Sequence, residues 1–178
     1  MKDIVFPKNN EEEFIAIAKR LGMKELLFVY QSPKEKKNTT KKITIKTAII
    51  STPNQLKSGN ANASNTIVRS DPDKDRWIIE KIKPKIMFGF EFQDRNDFMH
   101  HRNSGINHVT AKLMAKNKIT YGFPVADLIN STKQGVILGR MKQNIKLCKK
   151  YKVEIILASF ASDPMDMRNL KDVKCLVD

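Results

Sequence analysis

The sequence predicts an α/β fold in which parallel strands and helices alternate to form an incomplete or compact TIM-like (β/α) barrel. Short apolar runs alternate with segments of helical periodicity, and most connections are short. This order favours a parallel sheet with right-handed crossovers. Residues 153–159 are dominated by apolar side chains, as is typical of a strand covered on both faces. A complete eight-unit barrel needs roughly 200 residues or more, and an open doubly wound sheet is the alternative.

Seven apolar runs account for the expected strands. They cover residues 4–6, 26–30, 43–50, 66–69, 85–90, 119–123 and 153–159. Two polar segments interrupt the series. Residues 31–42 carry a charge run and are expected to form a loop, and residues 51–65 are rich in Ser, Asn, Gly and Pro and are expected to form an irregular connection. The whole chain, 1–178, is expected to be a single domain.

Polar residues that precede helical patterns predict where the helices begin. Asn10 with Glu13 resembles a capping box. Asp71 is expected to cap a helix that has Pro72 at its first position. Ser104 is expected to cap a later helix that ends near residue 116. The longest helix is predicted over residues 132–151. A final helical segment is expected to start at Asp163 or at Asn169.

The charge balance predicts a polyanionic partner. Lys and Arg number 33 against 19 Asp and Glu, so the net charge is +14. Nucleic acid and an anionic membrane surface both fit, and a surface that is basic only for solubility is the alternative. No apolar run approaches the roughly 18 residues of a membrane-spanning helix, and the N-terminus has no signal-peptide pattern. We therefore expect a soluble intracellular protein.

The residues that usually perform catalysis are few and scattered. Cys148 and Cys175 lie in no metal-ligand spacing, so no disulfide or metal site is expected. The three histidines are His100, His101 and His108, and none forms an HxH pair. Because no glycine-rich phosphate loop is present either, we expect no cofactor and no catalytic centre.

A series of sequence blocks from Arg102 to Val177 carries a family resemblance. The blocks are RNSGINHV (102–109), AKLM (111–114), YGF (121–123), DLI (127–129), LGRMKQNIKLCKKYKV (138–153), AS (158–159), DMR (166–168) and KDV (171–173). In order and spacing they resemble the ribonuclease P protein component 3 family. DIVFP at residues 3–7, with the helix after it, resembles the family's first strand and helix. Residues 31–75 show no match, and no element follows Val177, where the family often continues, so barrel closure is expected to be incomplete.

The resemblance implies both a fold and a function. The family has a (β/α) barrel related to the PHP phosphoesterases, so a PHP-like barrel is expected. It implies a non-catalytic subunit that pairs with ribonuclease P protein component 2 and binds the ribonuclease P RNA. That RNA holds the catalytic metals and cleaves precursor tRNA, which the protein meets indirectly. It also implies a cytoplasmic protein in an archaeon, or a nuclear or nucleolar one in a eukaryote. A PHP-type metal-dependent phosphoesterase and a generic basic RNA-interaction module are the alternatives.

Cationic side chains near helices supply the candidate RNA contacts. The long helix carries lysines at spacings of four and three residues on one side, which suits phosphate neutralisation. A helix N-terminus near residue 104 offers free N–H groups to a phosphate, and the end of the last strand lies on the rim where barrels bind ligands. The predicted RNA-contacting residues are Arg102, Asn103, His108, Lys112, Arg140, Lys142, Lys146 and Arg168. Phe88, Phe90 and Phe98 could stack on bases, but core packing is favoured for all three.

Overall fold

Seven parallel strands form one sheet in chain order. The computed structural model describes residues 2–32, 43–52, 55–56 and 65–175, so most of the predicted segments 31–42 and 51–65 lies outside the described residues. Every neighbouring pair of strands is parallel, as predicted. The strands are β1 (Lys2–Val5), β2 (Glu25–Tyr30), β3 (Thr44–Ile50), β4 (Thr66–Arg69), β5 (Ile86–Phe88), β6 (Thr120–Pro124) and β7 (Ile155–Ala158).

Helices cover the outside of this sheet. In the described ranges they are α1 (Glu11–Arg20), α2 (Asp75–Trp77), α3 (His108–Lys116), α4 (Val125–Ile129), α5 (Gln134–Tyr151) and α6 (Leu170–Lys174). A π-helical segment, Ile78–Ile82, continues α2, and 3₁₀ turns occupy Phe90–Phe92 and Pro164–Asp166. None of the described helices combines the length and the hydropathy that a membrane span requires.

The two outer strands approach each other and bring the sheet close to a closed barrel. Val5 forms a parallel bridge with Ala161, just after β7, and the Phe6 N–H donates to the Ala161 carbonyl at 2.8 Å. The buried Asp3 carboxylate accepts a hydrogen bond from the Ser159 N–H at 2.6 Å. This joining confirms the predicted nearly closed barrel and excludes the open doubly wound sheet.

Side chains on each strand alternate between the barrel interior and the helical layer. On β2, Leu27 and Val29 belong to an interior cluster, whereas Leu26 and Phe28 pack with Phe14 of α1. This is the pattern of a strand that is buried on both faces. It explains why the strands appear in the sequence as nearly continuous apolar runs.

The helix after Asn10 begins where it is predicted but lacks the predicted capping bond, and the predicted start of the next helix is wrong. The Asn10 side chain makes no capping bond to α1, because its Oδ1 accepts from the Lys8 N–H at 2.8 Å instead. Residues 72–74 form a turn, so the next helix begins at Asp75 rather than at Pro72. The buried Asp75 carboxylate accepts from the Ser70 hydroxyl and the Asp71 N–H at 2.6 and 2.9 Å. Local capping residues can make several such bonds, and tertiary packing selects among them.

Candidate nucleic-acid interface

Charge is distributed unevenly along the chain. Residues 98–153 contain 11 of the 33 Lys and Arg residues. They contain one of the 19 acidic residues, Asp127. The segment includes α3 and α5, which pack against each other on the outside of the barrel. The sequence contains this segregation, and counting acidic residues in a sliding window would have found it.

The packing of α3 and α5 leaves one lysine-rich outer surface. Ala111 and Met114 of α3 are buried, as are Met141 and Ile145 of α5, so the polar sides of both helices face outward. The exposed cations define what we call the lysine surface: Lys112, Lys116, Lys142, Lys146, Lys149 and Lys150. Within the described part of the chain, none of them has a carboxylate within 4.0 Å.

Tyr151 brings cations of the two helices together. The ammonium nitrogen of Lys112, from α3, lies 5.7 Å from the Tyr151 ring centroid, and that of Lys150, from α5, lies 5.6 Å from it. Both distances fall within the range of cation–π attraction. The predicted contacts Lys112 and Lys146 are therefore parts of one surface, because Lys146 lies one helical turn before Lys150.

Arg140, which we expected to contact RNA, is directed into the protein. It is only 5% exposed. Its Nε donates to Asp97 Oδ1 at 2.8 Å, and its Nη1 donates to the carbonyls of Glu91 and Gln93 at 3.2 and 2.8 Å. Its Nη2 donates to the Arg95 carbonyl. A buried guanidinium that donates from all three of its nitrogens to groups of the protein has a structural role and is not available to a phosphate.

Asp97 anchors the segment that carries two other predicted residues. Its Oδ1 also accepts from the Asn103 N–H at 3.0 Å, and its Oδ2 pairs with Arg102 Nη1 at 3.2 Å. Desolvation opposes ionisation of Asp97, but the bonds from Arg140 and Asn103 outweigh it and lower the pKa of the carboxyl. Asp97 therefore stays charged and holds this loop in place.

Gln143 and Gly139 of α5 position Arg102. The Gln143 side chain accepts from the Arg102 N–H at 3.1 Å and donates to the Arg102 carbonyl at 2.8 Å. The Arg102 side chain remains 46% exposed and crosses directly over Gly139, where an added Cβ would lie 2.4 Å from the Arg102 Cζ. The structure thus keeps Arg102 accessible and preorganised beside the long helix.

Asn107, not Ser104, caps α3. The helix begins at His108, and the Asn107 Oδ1 accepts from the N–H groups of Val109 and Thr110, each at 2.9 Å. Ser104 is buried, and its hydroxyl accepts a hydrogen bond from Gln143. The predicted phosphate-binding helix N-terminus is thus already occupied by a side chain. His108 itself is exposed, one turn before Lys112.

Arg168 lies on a different part of the molecule, after β7. Its Nη1 donates to the carbonyls of Met165 and Met167 at 2.6 and 3.0 Å, and its N–H donates to the Ser159 hydroxyl. The side chain is half-buried. Arg168 is therefore a candidate contact that is separate from the lysine surface.

Aromatic rings line a cavity of about 490 Å³ at the carboxyl end of the barrel, where parallel-barrel enzymes hold their catalytic groups. Phe88 and Phe160 stack with ring centroids 4.6 Å apart, and Phe6 lies 6.1 Å from both. Beside them Arg69 pairs with Asp127 at 2.9 Å. In the described ranges no three His, Cys, Asp or Glu side chains gather as a metal site would require.

Comparison with known proteins reveals similarity to one named family. No protein-family model matches the chain. Ribonuclease P protein component 3 of Methanosarcina acetivorans is 31% identical over 90 residues, which cover 47% of this chain and 38% of that protein. The protein of the same name from Methanothermobacter thermautotrophicus is 33% identical over 79 residues, covering 43% and 32%. The alignments thus span less than two-fifths of these relatives, and they confirm the family resemblance that the sequence blocks indicate.

Solved structures share the fold over almost the whole chain. A chain in the cryo-EM structure of archaeal ribonuclease P with mature tRNA matches with a TM-score of 0.74 and 17% identity, over 97% of this chain and 80% of that one. Histidinol phosphate phosphatase from Lactococcus lactis, crystallised with zinc, L-histidinol and phosphate, matches with a TM-score of 0.67 and 8% identity, over 99% and 92%. These likenesses confirm the predicted (β/α) barrel fold.

Proposed function

We propose, from the similarity to ribonuclease P protein component 3, that this chain is an RNA-binding subunit of ribonuclease P. The observation that carries the proposal is the lysine surface, where six exposed ammonium groups have no carboxylate partner in the described ranges. Phosphates that bind such a surface release condensed counterions, and no internal ion pair has to be broken first. Of the predicted RNA contacts, Arg102, Asn103 and His108 border this surface. Arg168 is proposed as a separate RNA contact after β7. Arg140 is no longer proposed as an RNA contact, because it is buried.

In this proposal the chain performs no chemistry. The end of the barrel where a phosphoesterase would hold substrate is lined by the stacked Phe88 and Phe160 with Phe6, and not by a group of metal-binding side chains in the described ranges. Catalysis then belongs to the RNA, and precursor tRNA meets the protein indirectly. We propose ribonuclease P protein component 2 as the protein partner. Residues 1–178 are proposed to form one domain. If the source is an archaeon, the proposed location is the cytoplasm.

Removal of charge from the lysine surface tests the proposal. We expect the triple variant Lys142→Ala, Lys146→Ala and Lys149→Ala to bind a transcribed archaeal ribonuclease P RNA more weakly. Each lost phosphate contact should reduce the slope of log affinity against log salt by roughly 0.7 to 0.9 units. Filter binding over a range of salt concentrations measures both quantities.

A second triple variant supplies a matched control. Lys8→Ala, Lys19→Ala and Lys24→Ala remove the same charge from exposed positions near β1 and α1, and we expect this variant to retain most of the wild-type affinity and slope. If both variants lose affinity equally, binding depends on net charge and the chain is a generic basic module. Cleavage of precursor tRNA at limiting magnesium, with and without the chain and component 2, then tests the subunit role directly.

A further inference from the structure

An exposed groove lies beside the lysine surface. It has a volume of about 750 Å³ and lies between the start of α2, the segment 93–107 and α5. The side chains that matter here are Phe98, His101, Arg76, Arg95, Arg102 and His108. The bonds from Asp97 and Gln143 described above hold the wall of this groove in a defined conformation.

Phe98 and His101 stack on each other at the rim of this groove, and we call this pair of rings the platform. Their ring centroids are 4.6 Å apart with an interplanar angle of 25°, and the Phe98 N–H donates to the His101 carbonyl at 2.9 Å. Phe98 is 56% exposed, so the expectation that it packs in the core is wrong, whereas Phe88 and Phe90 are buried as expected. An ordered aromatic face that is open to solvent suits the stacking of a planar ligand.

The charges around the platform favour an anionic ligand. Three arginines and two histidines line the groove, and the one acidic side chain in its lining, Asp75, is buried and bonded to Ser70. Arg95 and Arg76 pair only with exposed or half-buried carboxylates, at 3.6 and 3.0 Å. Such surface pairs contribute little, so a phosphate can replace the carboxylate.

The groove continues directly into the lysine surface. His108 lines the groove and lies one turn before Lys112 on α3, and Lys116 follows one turn later. A strand whose base rests on the platform could therefore extend its phosphates along α3. Base stacking on aromatic side chains, combined with a cationic path for the backbone, is how proteins bind single-stranded nucleic acid.

We propose that the Phe98–His101 platform stacks an unpaired nucleobase of an RNA strand whose phosphates follow α3. This inference rests on the proposed RNA-binding function and adds to it the recognition of a single-stranded segment. A protein occupant of the groove is the competing outcome of the test.

Binding of short RNAs by the full-length chain tests the platform. The probes are a single-stranded RNA of about 12 nucleotides, within the usual range of site sizes, and its duplex with the complementary strand. We expect Phe98→Ala to weaken single-strand binding by about tenfold and duplex binding by less than about twofold, with the salt slope unchanged, because stacking involves no charge. Fluorescence anisotropy measures each affinity.

Three further variants make the result specific. Phe98→Trp should restore single-strand binding, and His101→Ala should weaken it. Met165→Ala, which removes an exposed apolar side chain from another loop, should leave it unchanged. Unchanged thermal unfolding of Phe98→Ala shows that the fold is intact.

Other outcomes separate this inference from the proposed function. If Phe98→Ala binds both RNAs like the wild type while the lysine triple variant binds more weakly, the platform proposal fails alone. If Phe98→Ala loses the same affinity for the single strand and for the duplex, the platform proposal is also overturned. If Phe98→Ala retains RNA affinity but no longer co-elutes with purified component 2, the platform contacts protein and not RNA. If neither variant changes RNA binding, both proposals fail.

Discussion

Glu91 is a carboxylic acid with no exposed surface. Its Oε2 accepts a hydrogen bond from the Tyr121 hydroxyl at 2.9 Å, and its Oε1 has no hydrogen-bond partner in the described part of the chain. Desolvation by burial raises the pKa of Glu91 to about 7, while the positive charge of Arg69 acts against this rise and the negative charge of Asp127 adds to it. The folded protein therefore binds a proton at this position that the unfolded chain releases near the ordinary pKa of glutamate.

Substitution of Glu91 should change the pH dependence of stability. Because the folded pKa is raised, the free energy of unfolding should fall as the pH increases from about 4.5 to about 7, by on the order of 3 kcal/mol. Glu91→Gln keeps an acceptor for Tyr121 but cannot ionise, so it should exceed the wild type in stability above neutral pH and match it near pH 4.5. Urea unfolding across this range measures the difference, and parallel profiles would contradict the prediction.

At the scale of elements, Arg140 links the long helix to the segment after β5. It joins α5 to three carbonyl groups and to Asp97, all between residues 91 and 97. The same segment continues into the loop that carries Phe98 and Arg102. The buried arginine thus supports the proposed RNA-binding surface without contacting RNA.

Arg140→Met should destabilise the protein by about 3–5 kcal/mol, because it removes a buried charge partner of Asp97 and the donor to three carbonyls. Lys142→Met, an exposed neighbour on the same helix, should change the free energy of unfolding by less than about 0.5 kcal/mol. Urea unfolding compares the two variants. A stable Arg140→Met variant with weakened RNA binding would restore the role that the sequence predicts for Arg140.

For the whole molecule, one buried carboxylate contributes to closing the barrel. Asp3 Oδ1 accepts from the N–H groups of Ile4 and Ser159 at 2.9 and 2.6 Å, and thereby joins β1 to the end of β7. Desolvation raises the pKa of Asp3, although these hydrogen bonds oppose the rise. A side-chain acceptor here replaces part of the backbone ladder that two adjacent parallel strands would otherwise form.

Asp3→Ala should therefore weaken the closure of the barrel. Two buried N–H groups lose their acceptor, at roughly 1–3 kcal/mol for each unsatisfied group. Asp3→Asn keeps an acceptor oxygen and removes the charge, so it should lie within about 1 kcal/mol of the wild type at neutral pH. Thermal or urea unfolding distinguishes the two, and equal stability of Asp3→Ala and the wild type would show that the seam depends on backbone contacts alone.

Local sequence patterns were sufficient to predict most of the fold. The β4 strand coincides with its predicted range, 66–69. Of the two predicted starts of the final helical segment, Asn169 caps α6, whereas Asp163 caps a 3₁₀ turn. Such patterns succeed because strand alternation and side-chain caps involve residues only a few positions apart. The short helix Val125–Ile129 was missed, since five residues carry too little periodicity to recognise.

The sequence by itself determined the parallel α/β architecture, the family resemblance and the concentration of positive charge between residues 98 and 153. Only the tertiary structure decided which cations face outward. Arg140 and Lys142 are two residues apart on one helix, yet one is buried against Asp97 and the other is exposed. Phe98 is exposed where Phe88 and Phe90 are buried. The physical reason is that burial of Arg140, Phe88 and Phe90 depends on partners about 30 or more residues away, whose position is fixed only when the barrel packs.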